Sequence, residues 1–402
     1  MELGPIWRAI LRNKSSYALI ALQIAVTMAI MVNAIAIMQE RGALMARPSG
    51  ADEDNIVTLS STSFTSGVDM RNLIDEDLAM LRAMPGVHDA IATNSFPLRG
   101  GGWSMGVATE AGPDADGIGT AIYFSDEHAI EAFGTSLIDG QNFAHDEVTW
   151  NDRESSSWPA TGIVTEALAK ELFPDETGSY VGKTIYINDN DPVKIVGIID
   201  RLQAPWDGWD RVENTMLVPQ RRDGEYVSYV VRTEPGYLDE LIPQIEAALA
   251  NNKDRLIEDV RTMAEVRERS YTGDAAMIKM LSFIVILLTA ITGLGIVGLA
   301  SFSVTRRTRQ IGVRRALGAT RPEIMRYFMV ENFIISSVGI IAGAIFAIAL
   351  NIFMVQAFAL TPLAWYVVPM AMIILWIVGQ AAVAGPARRA SAISPAIATR
   401  SI

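Results

Sequence analysis

Five arginines crowd into the fourteen residues 306–319, RRTRQIGVRRALGA, between two long apolar runs. Guanidinium groups stay charged at physiological pH and make forked hydrogen bonds to carboxylates and phosphates. The stretch is too polar to span a bilayer and too regular to be a loose loop. Gly318 can end one short helix. Thr320, with Glu323 three residues on, can start the next, and Pro322 is tolerated in its first turn. On the short helix Ile311, Ala316 and Leu317 offer apolar contacts among Thr308, Arg309, Arg314 and Arg315. Gly312 and Gly318 permit close approach or termination. These residues alone leave two readings open: anchoring on anionic lipid, or docking on a protein partner that supplies carboxylates.

Other patterns carry less. GSYVGKT at 178–184 looks like a phosphate loop, but its first glycine is one residue too close to Lys183 and a strand, not a helix, is expected after it. His88, His128 and His145 have no metal-ligand spacing. No nucleophile elbow of the G-x-S-x-G kind occurs. The acidic pairs Asp75/Glu76 and Asp126/Glu127 read as solvated helix-start residues, and 155–157 as part of a polar linker. No catalytic group, metal site or cofactor is therefore expected in the chain.

Four apolar runs frame the arginine segment: 17–38, 280–304, 333–355 and 363–383. Each has about 20 residues or more, enough to cross ~30 Å of hydrocarbon. The first is longer than a cleaved signal's apolar core and reads as an uncleaved anchor. Residues 1–16, 305–332 and 384–402 hold 13 basic and 3 acidic residues, whereas 39–279 carries a net charge of −22. Arg8, Arg12, Lys14, Arg388, Arg389 and Arg400 belong to the basic set. Positive flanks face the cytoplasm, which places both termini and the arginine segment inside and the acidic segment outside. That acidity argues against nucleic acid as a partner. The absence of cysteine leaves the outer domain to be held by its own core.

The expected order is a cytoplasmic N-terminus (1–16), span one (17–38), an extracytoplasmic domain (39–279), span two (280–304) and a cytoplasmic loop with the short helix (305–326). Span three (327–355), a short outer loop (356–362), span four (363–383) and a cytoplasmic tail (384–402) follow. The spans lack charged residues in their central parts, and four spans are few for an ion-coupled transporter. Energy is therefore expected to enter from elsewhere. Ala21, Ala25 and Ala29 in span one, and Gly339, Gly343 and Ala347 in span three, form small-residue faces suited to close helix packing.

Within the outer domain two pieces read as strand–helix–strand. One has strands near 56–60 and 87–92 around a helix at 75–84; the other has strands at 226–232 and 256–260 around a helix at 237–250. Together, at about 50–95 and 220–262, they predict a βαβ layer. Residues 96–219 form a β-rich insertion with a helix at 165–173 and a hairpin of 183–187 with 193–199. Residues 39–45 and 260–279 are expected to continue spans one and two as helical stalks.

The loop TRRTRQIGVRRALGATRPEI resembles that of the MacB/FtsX-type permeases of ABC transporters, the type VII mechanotransmission class. Similar stretches occur in order along the chain: the opening WRAILRNKSSYALIALQIAV, FGTSLIDGQNF at 133–143, 161–173 with 181–199, DVRTM at 259–263, and SPAIA at 394–398. The resemblance implies an α-helical membrane protein with four transmembrane helices and a large α+β extracytoplasmic domain, in which a porter-like βαβ layer carries an inserted subdomain. It implies that Thr308–Gly318 is a coupling helix docking on a separate ATPase subunit, which would bind ATP and Mg. It further implies two ATPase copies, a second permease chain (a copy or a paralogue), and in some systems a periplasmic adaptor and outer-membrane channel. The chain is expected to depart from the MacB exporter in lacking a fused N-terminal ATPase domain. Export or extraction of a peptide, drug, toxin or lipoprotein is the leading expectation. Signalling through the same machinery, with activation of an extracytoplasmic hydrolase, stays open. So does a membrane-anchored receptor or enzyme with no ATPase.

Overall fold

The computed structural model describes residues 14–64, 68–151, 158–251, 255–358 and 362–394. Arg8, Arg12, the linker at 155–157, the closing residues 395–398 and Arg400 lie outside the described residues. The chain divides into two units: Ala46–Thr272, and Met1–Met45 with Gly273–Ile402.

In chain order, helix α1 (Lys14–Met45) precedes β1 (Ile56–Ser63), α2 (Met70–Arg82) and β2 (Val87–Thr93). Then come β3 (Trp103–Ala108), β4 (Ile118–Ser125), α3 (Ala129–Phe133), β5 (Leu137–Gly140), β6 (Thr149–Asn151) and β7 (Thr161–Thr165). Next are α4 (Glu166–Leu172), β8 (Thr184–Ile187), β9 (Asp191–Ile199), β10 (Thr215–Arg222), β11 (Tyr226–Thr233), α5 (Leu238–Ala250) and β12 (Arg255–Thr262). The last elements are α6 (Met263–Ser270), α7 (Thr272–Arg306), α8 (Thr308–Ala316), α9 (Arg321–Phe358) and α10 (Val367–Ser391).

In the Ala46–Thr272 unit, a four-stranded sheet has the order β12-β1-β11-β2. β1 runs antiparallel to both β12 and β11, and β11 antiparallel to β2. It is thus assembled from both ends of the unit, as two interleaved strand–helix–strand pieces. α2 starts at Asp69, whose carboxylate accepts from the Arg71 and Asn72 amides, and Gly86 leaves the following turn at φ 90°. Ile74, Leu78 and Leu81 of α2, with Leu241, Ile245 and Leu249 of α5, bury against Val57, Leu59, Tyr229 and Val231. Under this layer Asp77 pairs with Arg255 and accepts a 2.6 Å hydrogen bond from Tyr229.

The insertion closes on itself. β3, β4, β10, β7, β9 and β8 pair in a ring, with β5 and β6 attached at β9 and β10. Closure leaves those six strands no free edge. Val107, Ile122, Val164, Ile185, Ile195 and Met216 fill its interior. The parallel β10–β4 pairing completes the ring and has no local sequence signature.

One expectation is corrected at the end of this unit. Residues 260–262 finish strand β12 instead of starting a stalk helix; α6 begins only at Met263, where Thr262 and Glu265 exchange capping hydrogen bonds. Cross-strand pairing with β1 outweighs the helix tendency there.

In the other unit α1, α7, α9 and α10 are each long and apolar enough to cross a membrane. All but α10 extend past both ends of the apolar run that marks them. Ile24, Met28, Val32, Ile340, Ala347 and Leu375 are at the centre of their shared core. α1 and α9 meet along the two small-residue faces. A Cβ on Gly339 would stand 2.6 Å from the Ala21 carbonyl oxygen, and one on Gly343 2.6 Å from that of Ala25. Ala29 and Ala347 are buried, and Asn33 donates to the carbonyls of both. Thr27 and Thr292 share a 2.8 Å hydrogen bond between α1 and α7.

Candidate functional site

The arginine segment folds as the short helix α8 between α7 and α9. Its end is a Schellman turn: the Ala319 amide donates to the Arg314 carbonyl at 3.0 Å and the Gly318 amide to the Arg315 carbonyl at 3.2 Å. Gly318 sits at φ 99°, a conformation that favours glycine. The Glu323 carboxylate accepts from the Thr320 amide at 2.8 Å and caps the start of α9.

The two faces of α8 differ. Ile311 and Gly312 point inward, Ile311 packing with Val304, Ile324, Phe328, Ala387 and Ala390. Arg309, Val313, Arg314, Ala316, Leu317 and Gly318 are exposed, Leu317 at 83% at the helix end. Ile311 is therefore not available to a partner, which corrects the expectation: helical periodicity turns it to the α9–α10 side, and Val313 joins Leu317 in its place. Thr308 is half-buried and donates back to the Val304 carbonyl. Arg315 donates through Nη1 to the Ala319 carbonyl. Arg314 stacks over the Tyr327 ring at 5.1 Å, its side chain still at the surface.

A further arginine does what the sequence reading did not assign. Arg307, at the α7–α8 junction, pairs with Glu331 of α9 at 3.1 Å and hydrogen-bonds the Tyr17 hydroxyl of α1 at 3.0 Å. Tyr17 in turn donates to Glu331 at 2.9 Å. The side chains of Arg307 and Glu331 are 14% and 5% exposed. One buried charge pair and one hydroxyl thus tie α8 to two membrane helices at once. A signal existed: Glu331 is one of only two carboxylates in the otherwise basic 305–332 segment. Its partner is not deducible, because seven arginines compete for it by sequence proximity.

In the Ala46–Thr272 unit the remaining candidates have local partners. Lys183 pairs with Glu176 and lies 4.8 Å from the Phe173 ring centre. His88 bridges Glu234 and Glu131, His128 contacts Asp89 at 2.9 Å, and His145 contacts Glu127 at 2.6 Å. Among the described residues no cluster fits a metal ion. The reading of Asp126 as solvated is corrected: its side chain is 1% exposed and receives both Arg82 and Arg221. An Asp–Glu pair before a helix looks the same whether or not distant arginines reach it.

Two families match this chain: the MacB-like periplasmic core domain over residues 17–252 and the FtsX-like permease C-terminal over 282–395. The chain belongs to the MacB/FtsX-type permeases. MacB of Shewanella oneidensis, a macrolide export ATP-binding/permease protein, is 25% identical over 52% of this permease and 33% of its own length. PvdT of Pseudomonas savastanoi pv. phaseolicola, a pyoverdine export ATP-binding/permease protein, is 23% identical over 86% of this permease and 51% of its own length. YknZ of Bacillus subtilis, an ABC transporter permease, is 30% identical over 48% of this permease and 50% of its own length. This permease thus spans a third to a half of the curated relatives it matches.

Proposed function

We propose that this chain is the permease subunit of an ABC transporter and relays ATP hydrolysis by a separate cytoplasmic ATPase subunit to its extracytoplasmic domain, driving export or extraction of a substrate. The observation that carries this reading is α8: a short basic helix with an exposed Arg309–Val313–Arg314–Leu317 surface, held to the membrane helices by the Arg307–Glu331–Tyr17 cluster. A helix that only rests on lipid headgroups needs no such tether; one that transmits force does. Arg309 and Arg314 would meet carboxylates of the ATPase, and Val313, Ala316 and Leu317 would enter its groove. ATP and Mg would be bound by that subunit, in two copies beneath a pair of permease chains. α7, which buries the least of its apolar length, offers the surface for the second chain.

The test is co-purification. Arg314→Glu combined with Leu317→Glu is expected to abolish recovery of the ATPase with the permease from mild detergent while leaving membrane insertion intact. Undiminished recovery would remove the docking assignment and favour the lipid-anchor reading. If no ATPase accompanies the unaltered chain either, the lone receptor reading gains.

A further inference from the structure

An open cleft of about 520 Å³ lies in the Ala46–Thr272 unit where the chain crosses between its two subdomains. Both crossings line it: Asn94 to Trp103, from β2 to β3, and Arg222 to Tyr226, from β10 to β11. Its volume falls in the range of small-molecule sites, which favour such junctions.

Its chemistry runs against the unit around it. The 39–279 segment is strongly acidic, yet the described cleft residues include three arginines and one carboxylate, Glu225. Arg221 is held by Asp75 and Asp126, with its Nε buried and without a hydrogen-bond partner among the described residues. Arg222 and Arg99 have no carboxylate within ion-pair distance among the described residues. They rest on aromatic rings instead. Arg222 lies 5.3 Å from the ring centres of both Trp103 and Phe124; Arg99 lies 5.0 Å from that of Tyr226 and donates to the Tyr226 hydroxyl and the Asn94 carbonyl. Burial pushes the Arg99 pKa below its usual value, against the pull of Asp259. Trp103 and Tyr226 are themselves 43% and 44% exposed. Arg222, resting on ring faces, keeps its in-plane N–H donors open to a carboxylate or phosphate, and Arg99 keeps its Nε–H and one hydrogen on each Nη. Half-exposed indole and phenol surfaces supply the place for an apolar body.

We propose that this cleft binds a small amphipathic anion, one carboxylate or phosphate joined to an aromatic or acyl group, with Arg222 and Arg99 taking the charge and Trp103 and Tyr226 the apolar part. The site is independent of docking at α8, and its test needs neither ATP nor an ATPase.

The purified full-length chain in nonionic detergent is dialysed to equilibrium at low ionic strength against naphthylacetate and, in a parallel arm, against water-soluble dihexanoyl phosphatidate. The neutral naphthylacetamide serves as control. At least one anion is expected to bind at least about tenfold more tightly than the amide, the scale of a charge-assisted hydrogen bond. Arg222→Ala is expected to remove that preference and Arg222→Lys to restore part of it, both with an unchanged melting temperature. Preference for naphthylacetate assigns the site to soluble aromatic acids, and preference for the phosphatidate to a lipid headgroup; either supports it. Equal binding of amide and anion, no binding of either anion, or an unaltered affinity in a folded Arg222→Ala chain would overturn it.

Discussion

Buried charge gives the sharpest expectations at the level of single residues. Removing one partner of a buried ion pair costs about 3–5 kcal/mol, because the other charge stays desolvated. Glu331→Ala is therefore expected to lower the melting temperature of the detergent-solubilised chain well below that of Arg307→Met with Glu331→Leu, which removes both charges. If the single and double variants melt together, the Arg307–Glu331 pair contributes nothing specific. Histidines set a pH dependence. The hydrogen bond to Asp89 holds the His128 pKa above its ordinary value, and those to Glu234 and Glu131 do the same for His88. A group whose pKa is raised on folding adds stability that is complete below its unfolded value, about 6.5, and is lost as pH climbs through the folded value. The Ala46–Thr272 unit is thus expected to melt lower at about pH 8.5 than at about pH 6, with His128→Gln flattening the difference. A melting curve that rises over that window contradicts the assignment.

Helix contacts decide more than helix existence. Gly343 packs where a Cβ would stand 2.6 Å from both the Ala25 carbonyl oxygen and the Met28 Cβ. Backbone cannot yield as a side-chain tip can, so Gly343→Val is expected to separate α1 from α9. Overpacking of this kind costs about 1–3 kcal/mol, whereas the same change at Gly298, where nothing lies within 4 Å, is expected to be neutral. Comparable melting of the two variants would mean that α1 and α9 do not meet on these faces. Repeats of small residues at four-residue spacing were legible as faces; that they face each other was not, since spacing does not name a partner. α8 shows the same division. Its Gly318 end follows from local chemistry, but its start at Arg307 carries no side-chain cap and the inward side of Ile311 is set by Phe328 and Ala387 from two other helices.

Topology across the membrane belongs to the whole molecule. Because the sequence contains no cysteine, single cysteines report sidedness without background. Arg309→Cys and Thr177→Cys place a thiol at exposed positions of the two units. In intact cells a membrane-impermeant maleimide is expected to label residue 177 and to reach residue 309 only after permeabilisation. Labelling of residue 309 from outside would invert the orientation and with it the coupling proposal.

Patterns set by neighbours along the chain were readable without coordinates: four apolar stretches, the strand–helix–strand pieces, the β8–β9 hairpin, the cap at Gly318 and the charge asymmetry. Apart from the charge asymmetry, which is a sum over whole segments, each is built from patterns of residues near one another in the chain, where spacing maps directly onto geometry. Tertiary structure alone decided the ring closed by β10 with β4, the burial of Asp126, the Arg307–Glu331–Tyr17 tether and the seating of Arg99 and Arg222 on aromatic rings. These join residues 24 to more than 300 positions apart. Charge and hydropathy say which groups need partners, and only the folded chain determines which partner each one finds.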